Sequence, residues 1–179
     1  MKKYYITGTQ GTGKTAVAEE LRKRGFPVID TDMIPVAYWR NIHTGEKVRQ
    51  RSGSISDWIE SHQWHCDPKI LKELIDIQTG EIVFAVGISE NQEEYIGLFD
   101  KIFLLQCSEE TFLHRIETRT EHDFGKDESE REYILGFYQD FEKGMIERGA
   151  VSIDAEQTVS VVVDEILGQI NTFSDPTTT

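Results

Sequence analysis

Apolar residues in this chain fall into two rhythms. Short runs with few polar interruptions recur over 4–7, 26–30, 81–87, 102–106 and 151–153. Segments of that length, apolar at successive positions, read as strands covered on both faces. Pro27 stands among the first residues of its strand, where a missing N–H matters least. Between these runs the apolar residues are spaced by three and four. Val17, Ala18 and Leu21 share one face of a helix over 14–24 that Gly25 ends. Ile70, Leu71, Leu74, Ile75 and Ile77 predict another over 68–79, stopped by Gly80. Ser108 caps a helix with Glu109 and Glu110 in its first turn, where the helix dipole favours acids. A polar loop over 123–130 leads into a long helix closed by Gly149, and the last helix spans 159–170. The stretch 32–66 reads as irregular, with short helical patterns and a break at Ser52-Gly53-Ser54.

Apolar strands alternating with amphipathic helices imply an α/β fold, a three-layer α/β/α sandwich around a five-stranded parallel sheet. Ligands in such sheets bind beyond the carboxyl ends of the strands. The 179 residues suit one domain over 1–173, with 174–179 a disordered tail. No run of eighteen apolar residues predicts a membrane span, and Met1-Lys2-Lys3 enters a strand directly, so a cytoplasmic protein is expected. Cys66 and Cys107 have no metal-type spacing and read as small buried hydrophobes. His62 and His65 beside Cys66 lack a fourth ligand for zinc.

The formal charge of −13 makes nucleic acid a poor partner, since that binding depends on Lys and Arg replacing counterions. Any positive group clustered in such a chain gains significance. One stands at Gly8-Thr9-Gln10-Gly11-Thr12-Gly13-Lys14-Thr15, which fills every fixed position of G-x-x-x-x-G-K-[ST] between a strand and a helix. Gly8, Gly11 and Gly13 clear a path for backbone N–H groups of the loop, Thr12 and Ala16 included, to reach phosphate oxygens. Lys14 is the residue type that reaches β- and γ-phosphates, and Thr15 offers Mg²⁺ a hydroxyl.

Hydrolases of this class usually carry a metal-associated Asp at the end of an apolar strand. Here the strand over 82–86 ends in Gly87-Ile88-Ser89, and the carboxylates follow the second strand instead, in Asp30-Thr31-Asp32. Two apart, they point the same way if the strand continues. One can hold the metal through water while the other orients an attacking hydroxyl; the plainer reading has Asp32 capping the segment from Met33.

Taken together, the phosphate loop, the Asp-Thr-Asp strand end and the missing acid on the next strand resemble the nucleoside-monophosphate kinase and shikimate kinase group of P-loop proteins. Residues 98–105, the pair Arg115 and Arg119, Phe124-Gly125 and the late strand and helix over 151–167 continue the resemblance across most of the chain. It implies a P-loop NTPase fold, with an acceptor-binding segment at about 33–66, a lid at about 119–131 closing over ATP, and an adenine-contacting loop near 155–157. It also implies that Asp32 binds the acceptor hydroxyl and that Asp30, with Thr15, serves Mg²⁺. The chain departs from shikimate kinases in keeping only Gly87 of a Gly-Gly-Gly turn. The second arginine at the far end of the lid would be Arg131, at an offset that the pattern does not fix.

Arg115 and Arg119 are four apart on one helix face, suited to charge stabilisation in phosphoryl transfer or, more simply, to solvated pairing with Glu117 and Glu121. The segment 38–64 gathers Tyr38, Trp39, Arg40, Arg49, Arg51, Trp58 and Trp64. Trp39 stacking a ring and Arg40 holding an anionic group are the acceptor contacts expected there, against a purely structural role for the tryptophans. Asn91 reads as a helix cap. The expected function is ATP-dependent transfer of a γ-phosphate to a small molecule, a nucleoside or nucleotide, by a monomer or homodimer without nucleic-acid or membrane partners. The alternatives are a kinase of a shikimate-like acid or other hydroxyl metabolite, or a P-loop ATPase or regulator. No N-K-x-D motif supports a GTPase.

Overall fold

The computed structural model describes residues 1–33, 35–120 and 124–171; the expected tail over 174–179 and part of the expected lid, 121–123, lie outside them. Five apolar segments form the main sheet: β1 (Lys2–Thr7), β2 (Val28–Asp30), β6 (Ile82–Val86), β7 (Lys101–Gln106) and β8 (Val151–Asp154). Their order is β2-β6-β1-β7-β8, parallel throughout. Alternate side chains leave each strand on opposite faces. Tyr4, Ile6, Phe84, Val86, Phe103 and Leu105 therefore pack under α1 (Lys14–Lys23) and α6 (Val159–Asn171). Tyr5, Val83, Ala85, Ile102 and Leu104 meet Leu71 and Ile75 of α3 (Pro68–Asp76) and Met145 of α5 (Glu128–Glu147). The two cores give the three layers that the apolar pattern predicts.

Local chemistry sets the helix starts. Asp67 accepts hydrogen bonds from the Lys69 and Ile70 N–H groups while Pro68 occupies the first helical position of α3. Ser108 accepts from the Thr111 N–H at 3.2 Å and opens α4 (Glu109–Thr118).

The stretch 32–66 corrects the sequence expectation of irregular structure. It contains a second, antiparallel sheet of β3 (Ala37–Asn41), β4 (Lys47–Val48) and β5 (His62–Cys66), with the short α2 (Ile55–Ile59) before β5. Trp39 pairs with Trp64 on one face, ring centroids 5.3 Å apart, and Tyr38 pairs with His65 on the other at 5.1 Å. Aromatic rings on both faces erase the polar–apolar alternation by which a strand is recognised in sequence.

Asn91 ties this sheet to the main domain and is not the helix cap expected of it. Its Oδ1 accepts from the Cys66 N–H and its Nδ2 donates to the Cys66 carbonyl, both at 2.9 Å. From there buried hydroxyls run inward: Ser89 bonds Asn91 and Tyr95, Tyr95 meets Tyr5, and Tyr5 donates to the Gly87 carbonyl at 2.9 Å. This chain of bonds fixes the turn after β6. Burial pushes the Cys66 thiol up to about 12 and the Cys107 thiol to about 11, so both stay protonated. No group of side chains suited to a metal ion of its own occurs among the described residues.

Candidate active site

A cleft of about 950 Å³ opens at the carboxyl ends of β1, β2 and β6 and runs beneath one face of α5. The loop between β1 and α1 forms one wall. Gly11 has φ of +81°, and a Cβ there would stand 2.5 Å from the Phe112 carbonyl oxygen, so the loop lies against α4 as only glycine allows. Thr12 Oγ1 donates to the Thr9 carbonyl at 2.8 Å and holds the curve. Gly13, Lys14, Thr15 and Ala16 line the cleft where α1 begins, a helix N-terminus that favours anions. The Lys14 ammonium turns back onto the loop, donating to the Gly8 and Thr9 carbonyls at 2.7 and 2.9 Å. Desolvation lowers its pKa, partly offset by the Asp32 charge.

Across from Lys14 stand Asp30 and Asp32. Both face the cleft, although β2 ends at Asp30. The turn that follows is closed by the Asp32 N–H donating to Asp30 Oδ1 at 2.9 Å, and the buried Thr31 N–H donates to the Val86 carbonyl. The Asp32 carboxylate accepts from the Ile88 N–H at 3.0 Å, reaching across to the end of β6. Desolvation pushes its pKa up to about 6, with Lys14, the Ile88 N–H and the Trp64 indole pulling it down. A carboxylate poised there can take a proton near neutral pH.

The two sequence-predicted arginines both line the cleft. Arg115 Nη2 donates to the Ala155 carbonyl at 2.9 Å, joining α4 to the loop after β8. Arg119, at the end of α4, donates to the Phe124 carbonyl. Arg131 turns elsewhere and bonds the Lys126 carbonyl. Trp39 lines the cleft as expected, with Trp64 beside it. Arg40 does not. It follows Trp39 in β3 and so faces the other side of that sheet, near Gly45, outside the cleft.

Sequence reasoning missed Glu90, Gln92 and the α5 face. Glu90 accepts from the Trp64 N–H at 3.0 Å and from the Tyr133 hydroxyl, and desolvation raises its pKa. Tyr133, Phe137, Asp140 and Phe141 of α5, with Arg148 just past its end, line the cleft. Their spacing at i, i+4, i+7, i+8 and i+15 is the one available signal, since it puts them on one helix face.

Three comparisons bear on this geometry. The sequence profile of a family described as an AAA domain matches residues 5–136. A dephospho-CoA kinase of Bordetella avium (strain 197N) is 27% identical, over 64% of this chain and 66% of that enzyme's length. Among solved structures, a shikimate kinase from Acinetobacter baumannii in complex with shikimate has a TM-score of 0.60 at 17% identity, covering 97% of this chain and 95% of that one. A deoxyadenosine kinase from M. mycoides with bound dATP has a TM-score of 0.55 at 18% identity, covering 94% and 99%. The structures share the fold.

Proposed function

The chain belongs to the AAA domain family, and we propose that it is an ATP-dependent small-molecule kinase whose acceptor is a nucleoside or nucleotide. The dephospho-CoA kinase relative and the kinases that share the fold support this reading. The observation that carries it is the opposition of Lys14 and Asp32 across one cleft roomy enough for two substrates. In this account the loop from Gly8 to Ala16 cradles the ATP phosphates and Lys14 leaves its carbonyl partners to meet the β- and γ-phosphates. Arg115 and Arg119 oppose charge on the group in transfer. Asp32 orients the acceptor hydroxyl and takes its proton, and Trp39 covers the acceptor ring.

The hard oxygen donors of Thr15 and Asp30, both on the cleft, fit Mg²⁺, which keeps waters and borrows phosphate ligands instead of needing a cage. Bound there, Mg²⁺ would supply charge neutralisation for the phosphates. The segment 33–66 serves as the acceptor side and 119–131 as the lid. No described helix is long and apolar enough to cross a membrane.

The turn after β6 separates this reading from a motor ATPase. Residues 87–89 carry no acid, and Glu90 is engaged with Trp64 and Tyr133. Following ADP release with ATP, Mg²⁺ and a panel of hydroxyl acceptors tests the assignment: ADP formation should depend on an acceptor. Equal ADP release without any acceptor contradicts it.

A further inference from the structure

The acceptor half of the cleft is short of positive charge. Glu90, Glu93 and Asp140 line it. Among the described residues one arginine lines the same half, Arg148, and it stands 3.6 Å from Glu93. Arg115 and Arg119 are engaged on the donor side by the Ala155 and Phe124 carbonyls. Arg40, the cation expected to hold an anionic acceptor, faces away.

Gln92, between the sheet and the cleft, is only 6% exposed. Its Nε2 donates to Thr7 Oγ1 at 3.1 Å, while its Oε1 has no hydrogen-bond partner and Gln92 lines the cleft. A buried amide oxygen left alone costs free energy. The charged groups offered here are thus three carboxylates against the one guanidinium of Arg148. Between them Trp39, Trp64, Phe137 and Phe141 supply flat apolar walls.

We infer that this cleft selects an uncharged or protonated, ring-bearing alcohol rich in N–H and O–H donors, a nucleoside-like acceptor, and rejects nucleotides, hydroxy acids and other anions. The inference rests on the kinase reading and narrows it. A phosphate or carboxylate on the acceptor meets three carboxylates, with Arg148, already beside Glu93, as the one guanidinium described on this side. A base edge carrying amino groups, by contrast, finds the Glu90 carboxylate.

The test uses matched acceptors that differ in charge: each common nucleoside, its 5′-monophosphate, and shikimate and gluconate as hydroxy acids. Transfer is followed with γ-labelled ATP and Mg²⁺, and binding is measured in parallel by calorimetry with a non-hydrolysable ATP analogue. At least one nucleoside should exceed its monophosphate and both acids by tenfold or more, in kcat/KM and in affinity. The double variant Glu93→Gln, Asp140→Asn, which alters only exposed side chains, should narrow that gap at least threefold. A monophosphate or acid that matches the nucleosides, or a gap unmoved in the double variant, overturns the charge selection and leaves phosphoryl transfer intact. Nucleosides that bind preferentially while label never reaches any acceptor overturn the kinase reading and leave the charge selection. No binding by any compound overturns the inference as well.

Discussion

A Cβ on Gly87 would stand 2.9 Å from the Asp32 Oδ1 and 2.1 Å from the Thr31 Oγ1. The end of β6 and the acidic turn after β2 are therefore packed with no room for a side chain between them. Gly87→Ala should displace the Asp32 carboxylate from the Ile88 N–H and lower turnover by roughly tenfold or more, the scale of a misplaced proton acceptor. ATP affinity, set at the loop from Gly8 to Ala16, should stay within about threefold on the same grounds. Steady-state kinetics beside an ATP titration checks both, and unchanged turnover contradicts the placement.

Asp32 makes a prediction with two pH signatures. Its carboxyl is raised from 3.8 to about 6 by burial, so kcat/KM should fall on the acid side with a midpoint near pH 6. Asp32→Asn should lose roughly a hundredfold in turnover. Because the folded state holds this proton more tightly than the unfolded chain, stability is lost as pH rises from 3.8 through about 6. Above that window the ionised Asp32 is a net cost, up to about 3 kcal/mol. The ligand-free Asp32→Asn protein should thus melt higher than wild type at pH 7.5 and match it near pH 4. A lower melting temperature at pH 7.5 would count against a desolvated carboxylate.

Arg40→Ala should leave acceptor KM and ATP affinity within about threefold of wild type, as for an ordinary surface substitution. The side chain lies on the far face of β3 from Trp39, outside the cleft. A tenfold rise in acceptor KM would restore the role its sequence position suggests.

Much of the fold was legible because the main strands are buried on both faces and read as apolar runs. The phosphate loop was legible because three glycines, a lysine and a threonine leave few other uses for the pattern. The small sheet was not, since Trp39 and Trp64 on one face and Tyr38 and His65 on the other hide the period of two. Asn91 looked like a cap because Asn caps helices; its partner, the Cys66 backbone, lies 25 residues away in the chain. Arg40 lies outside the cleft for a simple geometric reason, since neighbours in a strand face opposite ways. The cleft wall on α5 depends on which face of a long helix turns inward, and tertiary packing decides that.

Asn91→Ala leaves the buried Cys66 N–H and carbonyl without partners and should destabilise the protein by about 1–3 kcal/mol. Denaturant unfolding reads this directly. Acceptor affinity should weaken with it, since Trp64 and Glu90 flank the tie, while ATP affinity holds. A fully stable variant would show that the small sheet is anchored elsewhere.

On this reading the cleft moves the γ-phosphate of ATP onto a small molecule by way of Lys14. The most direct measurement follows γ-labelled phosphate from ATP to a nucleoside acceptor in wild type and Lys14→Ala, with folding checked by melting. Wild type should yield labelled acceptor and Lys14→Ala should lose roughly a hundredfold or more at intact fold, as expected for losing a charge on the transferring group. Label appearing only as inorganic phosphate, or a Lys14→Ala rate within threefold of wild type, would contradict that reading.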